Sequence, residues 1–189
     1  MSSHHIVREK QEPALLILGM DAFEDELLGQ LLEWSPTVIT TSLTAEKINA
    51  YGIKIDLLIT DTMNDDLQSD IKLIESGTDT PVEAALKYLV ETTYPAVNVV
   101  TNDFQLKDFL LFADKINLVV FCGDKKIYPI NSGFSKWKPA NEFIELLFVP
   151  VGFQTSGLRH ESDNIYRTTH DGFFTIQFNQ PVLFIAEYL

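Results

Sequence analysis

Two aspartates stand where an α/β protein would place chemistry. Asp61 closes the apolar run Ile55-Asp56-Leu57-Leu58-Ile59-Thr60. Asp79 closes Ser76-Gly77-Thr78 and leads directly into Thr80-Pro81-Val82-Glu83. In open α/β sheets, ligands bind beyond the carboxyl ends of the strands. Carboxylates at such ends suit a cation, and the start of a helix suits a phosphate. The chemistry this pairing could support is handling of a phosphate ester beside a metal ion. The alternative is purely local, because Asp also starts turns and helices.

The elements that would hold these residues follow from apolar periodicity. Strands are expected over 13–19, 36–41, 56–60, 71–75, 96–101 and 117–122. Helices are expected over 24–34, with Leu27, Leu28, Leu31 and Leu32 on one face, over 44–51 before Gly52, and over 103–115. The clearest local signal is Thr80-Pro81-Val82-Glu83. Thr80 is an N-cap, Pro81 suits the first helical position and Glu83 completes a capping box, so a helix should run to about Tyr94. Alternating strands and helices give an α/β domain over 1–123, a mostly parallel sheet with helices on both faces. From 124 to 189 no helix is expected. Strands at 125–130, 143–151, 172–178 and 182–187 give a small all-β sandwich, with 132–141 as a connecting loop. Asp171-Gly172 after His170 reads as a hairpin turn, and Trp137 as either an exposed binding aromatic or a packed loop anchor.

Bulk properties narrow the classes. The 189 residues are 46% hydrophobic, carry a net charge of −13 and have a pI of about 4.6. Such an acidic chain lacks the basic face that a nucleic-acid binder requires. No apolar stretch is long enough to span a bilayer, and the first residues lack the apolar centre of a signal peptide. A single cysteine, Cys122, cannot form an internal disulfide, and a cytoplasmic location is expected.

The second half carries Thr155-Ser156-Gly157-Leu158-Arg159-His160-Glu161-Ser162-Asp163-Asn164. This stretch resembles a motif of the thiamine pyrophosphokinase family, Thr-Gly-Leu-Lys-aromatic followed after two positions by Asp-Asn. Gly157, Leu158, Asp163 and Asn164 match, Arg159 replaces the lysine and His160 takes the aromatic position. Asp61 resembles the first aspartate of the family's Gly-Asp-Phe-Asp-Ser, and Thr78-Asp79 resembles its Thr-Asp helix start. The resemblance spans nearly the whole chain. It implies transfer of pyrophosphate from ATP to thiamine, giving thiamine diphosphate and AMP. It also implies Mg²⁺ on Asp61 and Asp79 as catalytic and metal-binding residues. Thr78, Thr80 and Asp108 would contact the nucleotide. Thr155, Ser156, Gly157, His160, Asp163 and Asn164 would contact thiamine, which lies against the β domain across a homodimer interface in the family.

The departures fall on the chemistry. Where the family has Asp-Gly-Gly-Ala-Asn, this chain has Ser42-Leu43-Thr44-Ala45-Glu46. Thr60 replaces the glycine before Asp61, and Met63 stands at the second aspartate, with Asp65, Asp66 and Asp70 nearby. The family's Gly-Gly-Arg-x-Asp-His falls near Asn102 to Phe109, which contain no glycine pair and no histidine. A catalytically silent relative that binds thiamine, a thiamine phosphate or another small molecule is the alternative reading.

Overall fold

The computed structural model describes residues 12–21, 23–61 and 71–189. The chain divides at Leu118/Val119 into two compact units.

The first unit holds β1 (Ala14–Ile17), α1 (Asp25–Leu32), β2 (Val38–Thr41), α2 (Ser42–Ala50), β3 (Leu57–Ile59), β4 (Lys72–Ile74), α3 (Pro81–Glu91), β5 (Ala96–Thr101) and α4 (Leu106–Leu110). Its strands lie in the order β4-β3-β2-β1-β5, and every neighbouring pair is parallel. β1 and β3 are buried along their whole length. Unbroken apolar runs of this kind are what a parallel sheet requires. Strand order reverses beside β1: β2, β3 and β4 extend to one side, and β5 lies on the other.

The capping box at α3 forms as the sequence requires. Thr80 Oγ1 accepts the Glu83 N–H at 3.2 Å, and Glu83 Oε2 accepts the Thr80 N–H at 3.0 Å. Ala84, Ala85, Leu86 and Leu89 form the buried face of the helix. α2 ends at Ala50, and Gly52 beyond it takes φ +71°, a conformation that glycine adopts without steric strain.

The helix expected over 103–115 is a correction. Only Leu106–Leu110 is α-helical. Thr101 Oγ1 accepts the Asp103 N–H, and the Gln105 amide donates to the Asp103 carboxylate, which holds 101–105 as a turn. Beyond Leu110, i to i−3 bonds from Phe112 and Lys115 tighten the chain. That spacing keeps Phe109 and Phe112 buried together.

β6 (Asn117–Cys122) contains the division between the units. The second unit continues with β7 (Lys125–Ile130), β8 (Phe134–Lys138), β9 (Phe143–Leu146), β10 (Gln154–Ser156), β11 (Leu158–Ser162), β12 (Ile165–Thr168), β13 (Gly172–Gln177) and β14 (Leu183–Tyr188). β7, β14, β9, β12 and β11 are consecutive antiparallel neighbours, and β10, β13 and β8 form a separate antiparallel sheet. Ile130, Ile144, Leu146 and Ile185 from the first sheet pack with Phe174 and Ile176 from the second.

Several sequence expectations change in this unit. The loop expected at 132–141 contains β8, paired residue for residue with β13 from Lys138 opposite Gly172 to Phe134 opposite Ile176. Its alternation of half-buried Phe134, Lys136 and Lys138 with exposed Ser135 and Trp137 has period two, but lysine stems take apolar positions and disguise it. Trp137 is therefore a strand residue, 53% exposed, and not a packed loop anchor. The strand expected to reach Val151 stops at Leu146, because Pro150 has no N–H and Gly152 turns at φ +69°. The segment around His170 and Asp171 is not a hairpin turn. It joins β12 and β13, which pair with different partners in different sheets.

One charged cluster is built into this unit. Glu187 lies on β14 with only 6% of its side chain exposed. Its Oε1 accepts Lys136 Nζ at 2.6 Å and the Tyr128 hydroxyl, and its Oε2 meets Lys138 Nζ at 3.0 Å. Burial alone would raise the Glu187 carboxyl, but hydrogen bonds from Lys136, Tyr128 and Lys138 outweigh it and hold it below the usual range. Burial and the Glu187 charge push the Tyr128 phenol strongly upward. A group whose folded-state pKa is depressed contributes stability above its unfolded value and loses it as pH falls through the folded value. Glu187→Gln is expected to destabilise the protein by about 3 to 5 kcal/mol at pH 7, the scale of breaking a buried pair. Urea unfolding checks this, and the difference between variant and parent should shrink below the ordinary carboxylate range.

Candidate functional site

The residues after β3 and β4 form one cleft. Asp61 follows β3, and the loop Glu75-Ser76-Gly77-Thr78-Asp79 follows β4 and leads into α3. Between them lies a cavity of about 510 Å³ lined by Thr60, Asp61, Leu73, Ile74, Glu75, Asp79, Ala84, Lys87, Tyr88 and Glu91. The structure thus brings Asp61 and Asp79 onto one cleft at the carboxyl ends of parallel strands. Both carboxylates have protein partners there.

Asp61 Oδ1 accepts the backbone N–H of Ser76 at 2.8 Å and of Gly77 at 2.9 Å, and Oδ2 accepts the Ser76 hydroxyl at 2.7 Å. Gly77 takes φ +58°, which turns its N–H toward the carboxylate. The Gly77 N–H and the Ser76 hydroxyl hold the Asp61 carboxyl below its ordinary value. Asp79 Oδ2 receives Lys87 Nζ at 2.5 Å from two turns along α3, and its N–H donates to Ser76 O at 2.9 Å. The hydrogen bond to Asp79 raises the Lys87 ammonium.

Three donors use most of the acceptor capacity of Asp61, and an ammonium already neutralises Asp79. Among the described residues no group of three or more His, Cys, Asp or Glu side chains is placed to hold a metal. Among the described residues, Asp61 and Asp79 by themselves do not complete a Mg²⁺ site. Met63, Asp65, Asp66 and Asp70 lie outside the described residues. The cleft has four carboxylates among its described lining residues, Asp61, Glu75, Asp79 and Glu91, against the single cation Lys87. A polyphosphate entering it would need countercharge, and Lys87 is the lining side chain that can supply it.

The other candidates separate by unit. Thr78 is exposed, Thr80 caps α3 and Asp108 lies in α4; none of the three lines the cleft. In the second unit, Thr155 and Ser156 end β10, and the Thr155 hydroxyl donates to Thr175 O at 2.7 Å. Gly157 carries the chain from one sheet to the other at φ +78°, where a Cβ would lie 2.9 Å from Phe173 O. His160 stands on β11, exposed, with Nε2 at 2.9 Å from Asp163 O and its ring 5.2 Å from Tyr166. Asp163 takes φ +40° in the β11–β12 turn, and Asn164 O accepts the Leu146 N–H. Gly157, His160, Asp163 and Asn164 are thus brought together along one hairpin and its entry.

Sequence reasoning missed a second polar group, at the point where strand order reverses. Beyond β1 and β5, Asp21 Oδ1 meets Lys47 Nζ at 2.7 Å, Asn102 Nδ2 donates to Asp21 Oδ2 at 2.6 Å, and Asn102 Oδ1 accepts the Asp21 N–H at 3.0 Å. The hydrogen bond from Lys47 lowers the Asp21 carboxyl. A Cβ on Gly19 would lie 2.6 Å from the Asn102 amide. The signal was present in Gly19 after one strand and Asn102 after another. The glycine-rich turn expected from the resemblance at Ser42 to Glu46 is replaced by β2 running directly into α2. There the Thr40 and Thr44 hydroxyls donate to Ile17 O and Leu18 O.

No protein-family model matches this sequence, and no curated protein matches it. Solved structures do. Thiamin pyrophosphokinase from Geobacillus thermodenitrificans superposes with a TM-score of 0.70 at 12% identity, over 93% of this chain and 97% of that one. The Candida albicans enzyme gives 0.66 at 10% identity over 94% and 90%. The yeast enzyme gives 0.65 at 13% over 97% and 88%. The chain has the thiamin pyrophosphokinase fold. At such identities the likeness concerns the backbone, and the side chains above must be argued one by one.

Asp61→Asn is expected to loosen the loop before α3. Amide exchange at Ser76 and Gly77 should quicken roughly tenfold, the scale of one charge-assisted hydrogen bond. In the parent protein, the same protection should be present above the ordinary carboxylate pKa and fall as pH drops through the lowered Asp61 value. Hydrogen exchange followed by NMR reads both effects, and unchanged rates would remove Asp61 as the anchor of the loop.

Proposed function

We propose that this protein is a divergent member of the thiamin pyrophosphokinase family. Its reaction would transfer pyrophosphate from ATP to thiamine, giving thiamine diphosphate and AMP. The observation that carries the reading is the extent of the likeness, which runs through both units and nearly the full length of each enzyme compared. Helices on both faces of the parallel sheet belong to the same reading, supported by the unbroken burial of β1 and β3. So do a homodimeric assembly and a cytoplasmic location.

In this reaction the thiamine hydroxyl oxygen forms a bond to the β-phosphorus of ATP. The bond from that phosphorus to the bridging oxygen of AMP breaks. Charge on the transferred group must be balanced throughout. Lys87 would turn from Asp79 to the polyphosphate, and Asp79 with Asp61 would order the cleft around it. Thr78, Thr80 and Asp108 would serve the nucleotide. Thr155, Ser156, Gly157, His160, Asp163 and Asn164 would serve thiamine, with the His160 ring offered to a flat heterocycle.

A second reading, a catalytically silent relative that binds thiamine, a thiamine phosphate or another small molecule, would draw on the partners of the two aspartates. Asp61 is engaged by Ser76 and Gly77, and Asp79 by Lys87, as in a protein that binds a small molecule without turning it over.

Incubation with thiamine, ATP and Mg²⁺, with mass spectrometry for thiamine diphosphate and AMP, separates the two. Product is expected from the parent protein and none from the Asp61→Asn/Asp79→Asn double variant. Asp79→Asn alone is expected to lower turnover about 100-fold, as loss of one stabilising group in a site does, with the Tm nearly unchanged. A folded parent protein that makes no product would leave the binding role standing.

A further inference from the structure

The charged cluster of the second unit holds more cations than its carboxylate can balance. Lys126 lies on β7 directly across from Glu187 on β14. Lys136 and Lys138 reach the same carboxylate from β8, in the other sheet, at 2.6 and 3.0 Å. Lys136 Nζ also stands 5.2 Å over the Tyr128 ring. Lys126 Nζ packs 5.9 Å over the Phe121 ring and has no carboxylate within ion-pair distance among the described residues. Glu142 reaches only Lys138, at 3.8 Å, and is 42% exposed.

Two ammonium groups therefore hold the buried Glu187 carboxylate, and a third lysine, Lys126, stands across the ladder from it. With Glu142 also on Lys138, the cluster keeps an excess of one positive charge, in a chain whose net charge is −13. The Tyr128 hydroxyl donates a hydrogen bond to Glu187 and adds no charge. Half-buried cations without counterions are unfavourable unless something else supplies the charge. The excess calls for an anion, and ammonium groups suit the oxygens of a phosphate as point charges.

We propose that Lys126, Lys136 and Lys138 form a binding site for a phosphate-class oxyanion, carried either as free phosphate or as the phosphate of a small organic ligand. Lys126 contributes the open cationic position, and Glu187 fixes the other two lysines. Burial, then repulsion from Lys136 and Lys138, lowers the Lys126 ammonium below its ordinary value, and an anion beside it would counter that shift. The site shares no residue with the cleft at β3 and β4 and does not depend on the reaction proposed there.

The test titrates the full chain with inorganic phosphate at constant ionic strength maintained by chloride. Binding is followed through the lysine ε-CH₂ signals and the Tm. Saturable shifts of Lys126, Lys136 and Lys138 with a rise in Tm are expected. Lys126→Met should weaken phosphate binding at least about tenfold, while Lys107→Met, on an exposed face of α4, should leave it unchanged. Without phosphate, Lys126→Met should melt at or above the parent Tm, because it removes an uncompensated charge. A parallel titration with thiamine monophosphate and AMP distinguishes the sources. Equal affinity across all three assigns the site to the free oxyanion, and tighter binding of one ester assigns it to that ligand. Shifts that grow linearly without saturation, or that persist unchanged in Lys126→Met, would overturn the proposal.

Discussion

The loop that launches α3 depends on one carboxylate. Asp61 binds two successive backbone N–H groups and one hydroxyl of Ser76 and Gly77. That grip sets where Asp79 stands, and Asp79 meets Lys87 across the first turns of the helix. The capping box at Thr80 then continues the same chain of donors and acceptors into α3. A cation that drew Asp61 to itself would have to replace three hydrogen bonds that order the cleft. The carboxylate is thus a structural anchor and a candidate ligand at once, and the geometry favours the anchor.

The two units treat charge in opposite ways. In the first, carboxylates outnumber cations on an open cleft, and each ion pair stays near solvent, where such pairs contribute little. In the second, a buried carboxylate gathers lysines from both sheets, where desolvation makes each missing partner expensive. The acidic composition of the chain conceals this. Net charge describes how a surface is seen from a distance. It says nothing of lysines gathered on one carboxylate by residues far apart in sequence, such as Lys136, Lys138 and Glu187.

What could be read from the sequence followed from local physics. Thr80-Pro81-Val82-Glu83 specified its own cap, since every partner lies within four residues. The buried parallel strands were visible as apolar runs, and Gly52 marked the end of α2. Strands β10, β11 and β12 were invisible because Gln154–Ser156 and Leu158–Ser162 are polar and short, and only cross-strand partners make them strands. β8 was hidden by lysines at half-buried positions. α4 was overextended because periodicity cannot distinguish a full helix from one turn followed by tight i to i−3 bonds. Asp61 and Asp79 line one cleft, but their partners there were not readable. Ser76 and Lys87 are unremarkable until the loop closes.

The divergence from the family motifs has a consistent physical form. Where the resemblance expects glycines that let a backbone approach a phosphate, this chain has side chains that complete hydrogen bonds within the protein. Thr40 ties β2, and Thr44 ties α2, to the end of β1, and the Asn102 amide occupies the space beside Gly19 and holds Asp21. A glycine turn offers free N–H groups to a ligand; a threonine or asparagine tie satisfies carbonyls and carboxylates of the chain itself. The crevice where strand order reverses has thereby become a self-satisfied network. The cleft at β3 and β4 keeps open volume, a movable lysine and an incompletely bonded aspartate. If the fold still handles a nucleotide, the balance of open and satisfied groups places its phosphates at Lys87, since a ligand there displaces one ion pair, whereas a ligand at Asn102 must dismantle a set of bonds linking β1, α2 and β5.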